Sequence, residues 1–145
     1  MAVAPTPNPL RRNRFIVEVD EVQIQGVRQV TLPVTTTDQT ADGWGQTRTQ
    51  DLVVERALDA DSVDTLFYDW RQAVIDGDES EGKKEVTVGQ IDSEGQEVIR
   101  WTFENAWPKV YHTASLDASL ESDDAESIAT EELTLAFESI TREVV

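Results

Sequence analysis

The sequence predicts a mainly β fold, a small antiparallel barrel or sandwich with one amphipathic α-helix. Three observations support this: apolar and polar residues alternate in several short runs, turn residues separate the runs, and one stretch has helical spacing instead. With 145 residues, the chain is expected to form a single domain, 1–145, that buries roughly 70% of the surface exposed by its unfolded form.

The first strands follow an N-terminal arm. Residues 1–13 contain three prolines in the first nine positions and have no apolar period, which favours an arm. Phe15, Val17 and Val19 then form one face of a predicted strand. A tight turn near Asp20 leads into a second strand, where Gly26 interrupts the apolar phase as a β-bulge would.

Residues 33–50 change in composition to threonine, glutamine, aspartate and glycine, which predicts a long loop. Trp44 lies in this loop between two glycines. Two interpretations of this tryptophan stay open. Its ring either covers the edge of its own barrel or anchors the loop in a neighbouring subunit.

A helix is predicted over residues 61–76, after a strand that begins at Leu52. Gly77 is a natural stop, and Asp59 or Asp61 is a candidate N-cap. One apolar stripe runs along the helix, formed by Val63, Leu66, Phe67, Trp70 and Val74. Residues 76–82 then read as a charged loop.

The second half of the chain predicts a β-hairpin followed by two further strands. The turn is expected at residues 92–95. The apolar faces of the two hairpin strands consist of Val86 and Val88 on the first strand and Ile99, Trp101, Phe103 and Trp107 on the second. A long strand is predicted over 109–120, an acidic turn over 121–126, and a last strand within 129–142. The residues Leu133, Ala136, Phe137 and Ile140 fit a helical stripe as well.

The chain has 29 acidic and 12 basic residues, a formal net charge of −17. Self-repulsion of this size is screened over about 3 Å in 1 M salt, so the composition indicates a salt-loving host. An acidic wall that repels nucleic acid is the second interpretation. Disorder is disfavoured because 39% of the residues are hydrophobic and periodically placed.

No combination of residues predicts catalysis, a cofactor or a metal site, so the protein is not expected to be an enzyme. Cysteine is absent, which excludes thiolate chemistry. His112, the single histidine, falls in the predicted core-facing phase of a strand and has no catalytic partner. Residues 76–82 fail as a calcium loop because Glu81 and Thr87 occupy the positions that need glycine and glutamate.

Specific nucleic-acid binding is also disfavoured, because phosphate affinity depends on clustered lysine and arginine. The only basic cluster consists of Arg11, Arg12 and Arg14, for which ion pairs or a subunit contact are the preferred interpretation. No apolar run approaches the length of a membrane span, and the first residues lack the pattern of a signal peptide. A soluble protein without a conventional export signal is therefore expected.

Several segments, in the same order, resemble the tail tube proteins of contractile phages and related injection machines. The early ones are Asn8-Pro-Leu10, Arg14-Phe-Ile-Val-Glu-Val-Asp20 and Leu52-Val-Val-Glu-Arg-Ala-Leu58. The late ones are Trp101-Thr-Phe-Glu-Asn-Ala-Trp-Pro108 and Ile128-Ala-Thr-Glu-Glu-Leu-Thr-Leu-Ala136. The resemblance implies a strand, rather than a helix, near the end of the chain.

It also implies a structural protein that polymerises with copies of itself. In such tubes, subunits join their β-sheets in a six-fold ring and the rings stack. On this basis, open edges are expected on strands 96–106 and 109–120, and acidic strand residues are expected to face the channel. The loop 33–50, with Pro33, Asp38, Trp44 and Arg48, would stack the rings, while Arg11, Arg12 and Arg14 would join neighbours within a ring.

Further partners implied by the resemblance are sheath and baseplate proteins, with DNA or a protein cargo passing through the lumen without specific binding. The subunit would be made in the cytoplasm of a halophile and act in a virion or a phage-tail-like particle. Two alternatives remain: a carbohydrate-binding β-sandwich that uses Trp44 or Trp107, and a tube-initiator or baseplate paralogue.

Overall fold

A computed structural model describes residues 7–60, 64–121 and 125–145. Antiparallel strands dominate this part of the chain, so the predicted fold class is confirmed. The strands are β1 (Phe15–Val19), β2 (Val22–Gln23), β3 (Val27–Thr31), β4 (Thr35–Thr40), β5 (Gly43–Thr49), β6 (Leu52–Ala57), β7 (Lys84–Ile91), β8 (Glu97–His112), β9 (Thr130–Ala136) and β10 (Ser139–Val144). The helices are α1 (Leu66–Ile75) and α2 (Glu79–Gly82), with a 3₁₀ turn at Ala125–Ser127.

Eight strands form one sheet, seven of them in the order β2-β1-β7-β8-β9-β6-β3. The tenth strand, β10, pairs with the first half of β8 beyond this path, and β4 and β5 form a separate two-stranded ribbon. The 16-residue β8 has different partners along its length. Its first half pairs with β7 and β10, and its second half pairs with β9. No strand pairing joins β3 to β1 among the described residues, so the barrel is not closed.

Two irregularities in β8 change which side chains face the core. Three steps of β8, from Phe103 to Ala106, lie opposite two steps of β7, and Asn105 has a φ of 51°. The pairing with β9 shifts again after Pro108. Since each extra residue reverses the alternation, Ala106 and Pro108 are buried in place of Trp107. The expectation of a core-facing His112 is wrong for the same reason, and this side chain is exposed.

The predicted hairpin is confirmed as β7 and β8, and its strands build the core with helix α1. Phe103 and Val86 are fully buried, and α1 buries Phe67 and Trp70 against them. The indole Nε1 of Trp70 donates a 2.7 Å hydrogen bond to the carbonyl oxygen of Gly82, so the one polar atom of this ring is satisfied.

Helix α1 begins at Leu66, later than the predicted start at residue 61. The candidate N-cap Asp61 is one of residues 61–63, which lie outside the described part of the chain. Thr65 is the N-cap residue and makes no capping bond through its side chain. A carboxylate oxygen of Asp64, at 3.1 Å, accepts from the backbone N–H of Leu66 instead.

Other boundaries also differ from the sequence predictions. The strand expected over 109–120 ends at His112, where the alternating segment leaves the sheet. The last predicted strand is divided into β9 and β10, which settles the helix-or-strand ambiguity in favour of strand. The charged loop 76–82 contains α2, whose N-terminus is capped by Asp78. Residues 1–6 of the arm and 122–124 of the acidic turn lie outside the described residues.

Candidate assembly surfaces

The segment expected to be a long loop, 33–50, is a β-hairpin. Strands β4 and β5 pair with each other, from Thr35 opposite Thr49 to Thr40 opposite Gly43. Every residue of these two strands is exposed except Gly45, which is half-buried. Threonine-rich strands with no apolar alternation conceal such a strand pair from sequence reasoning, because neither face of the hairpin is buried.

Trp44 stands near the tip of this hairpin with 81% of its surface exposed. The two glycines beside it are required by the backbone. Gly43 has a φ of 125°, and a Cβ at Gly45 would lie 2.8 Å from the carbonyl oxygen of Asp38. The interpretation in which the ring covers its own barrel is therefore wrong, since the indole projects into solvent.

The four residues proposed for ring stacking share this hairpin. Asp38 sits at the irregularity between Thr37 and Gln39, and Arg48 lies opposite Thr36 in β5. Both side chains are exposed, while Pro33 is half-buried at the base of the hairpin. The fold thus brings these residues onto one projecting element.

The arginines of the arm lie together beside the start of β1. A turn is closed by the backbone N–H of Arg14 donating to the carbonyl oxygen of Arg11 at 3.2 Å. Gln90 of β7 fixes this turn, because its side-chain Nε2 donates to the same oxygen at 2.8 Å. Arg11, Arg12 and Arg14 are all exposed.

The open strand edges lie only partly where the sequence predicted them. The first half of β8 is flanked by β7 and β10, so a free edge over 96–106 is excluded. The second half, from Trp107 to His112, pairs with β9 along one side only, so part of the edge expected over 109–120 is open. On the other side Arg71 of α1 donates to the carbonyl oxygen of Pro108 at 3.3 Å. Within the described residues, β2, β3 and β10 each pair along one side only, as do both strands of the β4–β5 ribbon.

One face of the β1-β7-β8-β10 region is polar and turned away from the core. The strand registers place its residues in two rows, Ile16, Gly89, Arg100 and Glu143 in one, and Glu18, Thr87, Thr102 and Thr141 in the other. Gly89 leaves room on this face, since a Cβ there would lie 2.8 Å from Oε1 of Glu97. Arg100 donates to both carboxylate oxygens of Glu97, at 2.7 and 2.8 Å.

A buried charged cluster connects α1 to the sheet. Arg56, only 4% exposed, donates from Nε to Oε1 of Glu131 at 2.6 Å and from Nη2 to Oδ1 of Asp64 at 2.5 Å. The hydroxyl of Tyr111 donates to the other oxygen of Glu131 at 2.8 Å. The guanidinium carbon lies 4.3 Å from the centroid of the Phe67 ring, a cation–π distance.

The pKa values within this cluster follow from these contacts. Burial lowers the pKa of Arg56, but its hydrogen bonds to Asp64 and Glu131 outweigh burial and raise it. The hydrogen bond from Arg56 holds the pKa of Asp64 below its usual value. Burial, together with the bond to Glu131, raises the pKa of Tyr111 to about 12. All three groups therefore keep one protonation state near neutral pH.

Sequence reasoning missed this cluster, although a signal was present. Arg56 follows Leu52 and Val54 in the inward phase of β6, and Glu131 precedes Leu133 and Leu135 in the inward phase of β9. Opposite charges in the apolar phases of two strands indicate a buried pair. The strand register then places Arg56 directly opposite Glu131.

No cluster of three or more potential metal ligands occurs in residues 7–60, 64–121 and 125–145. Among the helices that the structure describes, none has the length and apolarity needed to cross a bilayer. The surfaces that stand out are the exposed hairpin, the arginine arm, the one-sided strands and the polar sheet face, all of which suit assembly better than chemistry.

The family model of the T4-like virus tail tube protein gp19 matches residues 11–141. The chain belongs to this family. As a tail tube protein it has a structural role, which favours assembly over the carbohydrate-binding alternative. No curated protein matches the chain in the sequence comparison.

Solved structures of similar fold include components of contractile injection systems. A structure of the anti-feeding prophage cap, the tube terminating cap, has a TM-score of 0.72 at 19% identity, covering 99% of this chain and 97% of the other. A sheath-tube complex of the extracellular contractile injection system PVC, in the extended state, gives 0.67 at 22% identity, covering 94% and 93%.

The same fold occurs in Hcp1 from Flavobacterium johnsoniae, with a TM-score of 0.61 at 16% identity over 89% of this chain and 94% of the other. At these identities the likeness concerns the fold. It agrees with the tail tube family and with the expected mainly β architecture.

Proposed function

We propose that this tail tube protein polymerises as stacked hexameric rings that form the inner conduit of a contractile phage-like particle or injection system. The observation that carries the proposal is the set of one-sided strands, β3, β10 and the β4–β5 ribbon. Unpaired backbone groups along such edges are templates for pairing with another chain. A contact between different surfaces of identical subunits closes into a ring when the rotation allows it.

Within a ring, the free edge of β10 joins the β1–β2 border of the next copy. Arg11 and Arg14 lie beside that border, and Glu143 on β10 offers an opposite charge. The two strands run antiparallel within one subunit, because three antiparallel pairings separate β1 from β10. A rotation about the tube axis preserves their directions, so the contact between copies is antiparallel as well.

The polar face of β1, β7, β8 and β10 lines the channel. Its row of Glu18, Thr87, Thr102 and Thr141 carries no large apolar side chain. The Glu97–Arg100 ion pair stays close to the sheet because it lies over Gly89. A wall with more carboxylates than cations, on which Arg100 is already paired with Glu97, lets DNA or a protein cargo slide past, since phosphate finds no cluster of free cations to bind.

Ring stacking involves the hairpin with Pro33, Asp38, Trp44 and Arg48. An isolated two-stranded hairpin is marginally stable in water, so this one gains from a partner. Sheath and baseplate proteins complete the assembly, in keeping with the sheath-tube complex of a protein of similar fold. The same fold in a tube terminating cap leaves an initiator or terminator paralogue as the second candidate.

Negative-stain microscopy of the purified protein in molar KCl tests the proposal. Long tubes with a ring repeat are expected. Single rings that never stack would favour the initiator paralogue, and monodisperse monomers at high concentration would contradict the proposal as a whole.

The charge of −17 supports synthesis in a halophile. Screening at molar salt removes most of the repulsion between surface carboxylates, so the melting temperature is expected to rise with KCl. The opposite result would contradict this origin: a melting temperature that is higher in dilute buffer than in KCl on the order of 2–3 M, where surface charges are almost fully screened.

A further inference from the structure

The barrel has an open seam between β1 and β3, and a groove of about 860 Å³ lies along it. Its lining is partly apolar: Phe15, Val30, Leu32, Val88 and Trp101 contribute to it. Four of these five side chains are only half-buried, so the seam leaves apolar surface in contact with solvent. A groove of this kind is completed by an apolar group from outside.

Two cations border the groove. Arg12 from the arm and Arg28 from β3 both line it, and both are exposed. Within the described ranges 7–60, 64–121 and 125–145, neither guanidinium takes part in a salt bridge. In a chain of net charge −17, this combination selects an occupant that is apolar and acidic.

The β4–β5 hairpin has the complementary properties at its tip. Trp44 is the most exposed aromatic side chain among the described residues, at 81%. Asp42 occupies the turn between the two strands, and Asp38 lies one position before Gln39, the residue opposite Trp44. One large apolar ring is therefore accompanied by two carboxylates.

Geometry excludes the hairpin from the groove of its own molecule. Leu32 lines the groove, and β4 begins three residues later at Thr35. The six residues of β4 carry the tip roughly 20 Å from this base at about 3.3 Å per residue. Trp44 is accordingly exposed in the subunit.

We propose that the seam groove of one copy receives the Trp44 tip of a second copy, with Asp38 and Asp42 facing Arg12 and Arg28. This rests on the proposed tube and names the surface that its stacking hairpin binds. Each subunit donates one tip and accepts another, so the contact repeats without closing on itself and extends an array. Arg12 then serves stacking, while Arg11 and Arg14 remain at the ring contact.

A disulfide test is direct because the chain contains no cysteine. The double variant Gln39→Cys/Gln29→Cys places one thiol beside Trp44 and one in the groove while retaining the ring and all four charges. Oxidised tubes are expected to give a ladder of covalent multimers on a non-reducing gel. The matched control is Leu116→Cys/Gln29→Cys, since Leu116 is 84% exposed but lies outside the hairpin, and it should give no ladder.

Charge exchange supplies a second readout. Arg28→Asp and Asp42→Arg are each expected to raise the concentration needed for tubes by about tenfold, because each places like charges together. The combination Arg28→Asp/Asp42→Arg should recover most of that loss. The comparison is made at the lowest salt in which tubes persist, since screening weakens the effect.

Three results would overturn the inference. If tubes of the Gln39→Cys/Gln29→Cys variant form without a disulfide ladder, or if the Leu116→Cys control gives the ladder instead, the groove is not the binding surface. The proposed tube would be unaffected. Charge variants whose effects simply add, without recovery in the double variant, would lead to the same conclusion. Wild-type protein that never assembles would remove both the inference and the proposed function.

Discussion

The buried cluster around Arg56 and the β4–β5 hairpin satisfy their interactions in opposite ways. Arg56 meets Glu131, Asp64 and Phe67 within one subunit, and the described residues leave no buried side-chain polar atom without a partner. The hairpin instead presents Trp44 to solvent and has no third strand. The comparison indicates that the Arg56 cluster stabilises the subunit, whereas the β4–β5 hairpin is available for assembly.

Arg56→Met is expected to have the largest effect on the subunit. It leaves the carboxylate of Glu131 buried without its cation, a change that costs about 3–5 kcal/mol of the free energy of unfolding. Chemical denaturation measures it. Arg48→Met, on the exposed hairpin, is the matched control and should change stability by less than about 0.5 kcal/mol. Equal effects of the two variants would break the comparison.

Tyr111→Phe is expected to have an intermediate effect. It removes the hydroxyl that donates to Glu131 at 2.8 Å and leaves one buried oxygen unsatisfied, for a loss of about 1–3 kcal/mol. Tyr68→Phe is the matched control, because it removes a hydroxyl from the ring that packs edge-on against Tyr111 but is 55% exposed. A neutral Tyr111→Phe would mean that the hydroxyl adds nothing to the cluster.

Acid should also weaken the cluster around Arg56, and the step responsible is protonation of Asp64. Its pKa is lowered in the folded protein by the hydrogen bond from Arg56. The stabilisation is therefore complete above the pKa of the unfolded chain and disappears as the pH falls through the lower folded value. Because this side chain is 56% exposed, solvent screening keeps the effect small.

Melting curves recorded from neutral pH down to about pH 2, well below the ordinary pKa of an aspartate, measure this step. Asp64→Asn should be less stable than wild type at neutral pH and should lose less stability on acidification. Asp42→Asn, at the hairpin tip, should follow the wild-type profile. An unchanged acid limb in Asp64→Asn would show that the Arg56 contact does not govern it.

Trp44→Ala is expected to have the smallest effect on the isolated subunit, within about 0.5 kcal/mol, because the exposed ring loses few contacts. Phe67→Ala, which empties a buried site, should cost about 3–5 kcal/mol. The order reverses for assembly, where sedimentation of Trp44→Ala should show loss of tubes. A large loss of subunit stability in Trp44→Ala would contradict the division between the two regions.

Local pattern was sufficient for elements with one buried face. The alternation of Val86 and Val88 against Phe103 predicted the β7–β8 hairpin, and the stripe through Phe67 and Trp70 predicted α1. It failed where neither face is buried, as in the hairpin, and where a bulge reverses the phase, as after Asn105. The arginine cluster of the arm could be read directly, whereas the Arg56–Glu131 pair was overlooked.

The sequence by itself determined the mainly β class, the helix stripe, the acidic charge and the order of segments that marks a tail tube protein, because these depend on neighbours in the chain. Only the tertiary structure decided which edges remain open, where His112 points, and that Arg56 meets Glu131 across 75 residues. Strand pairing and burial are set by contacts between distant segments, so no local period encodes them.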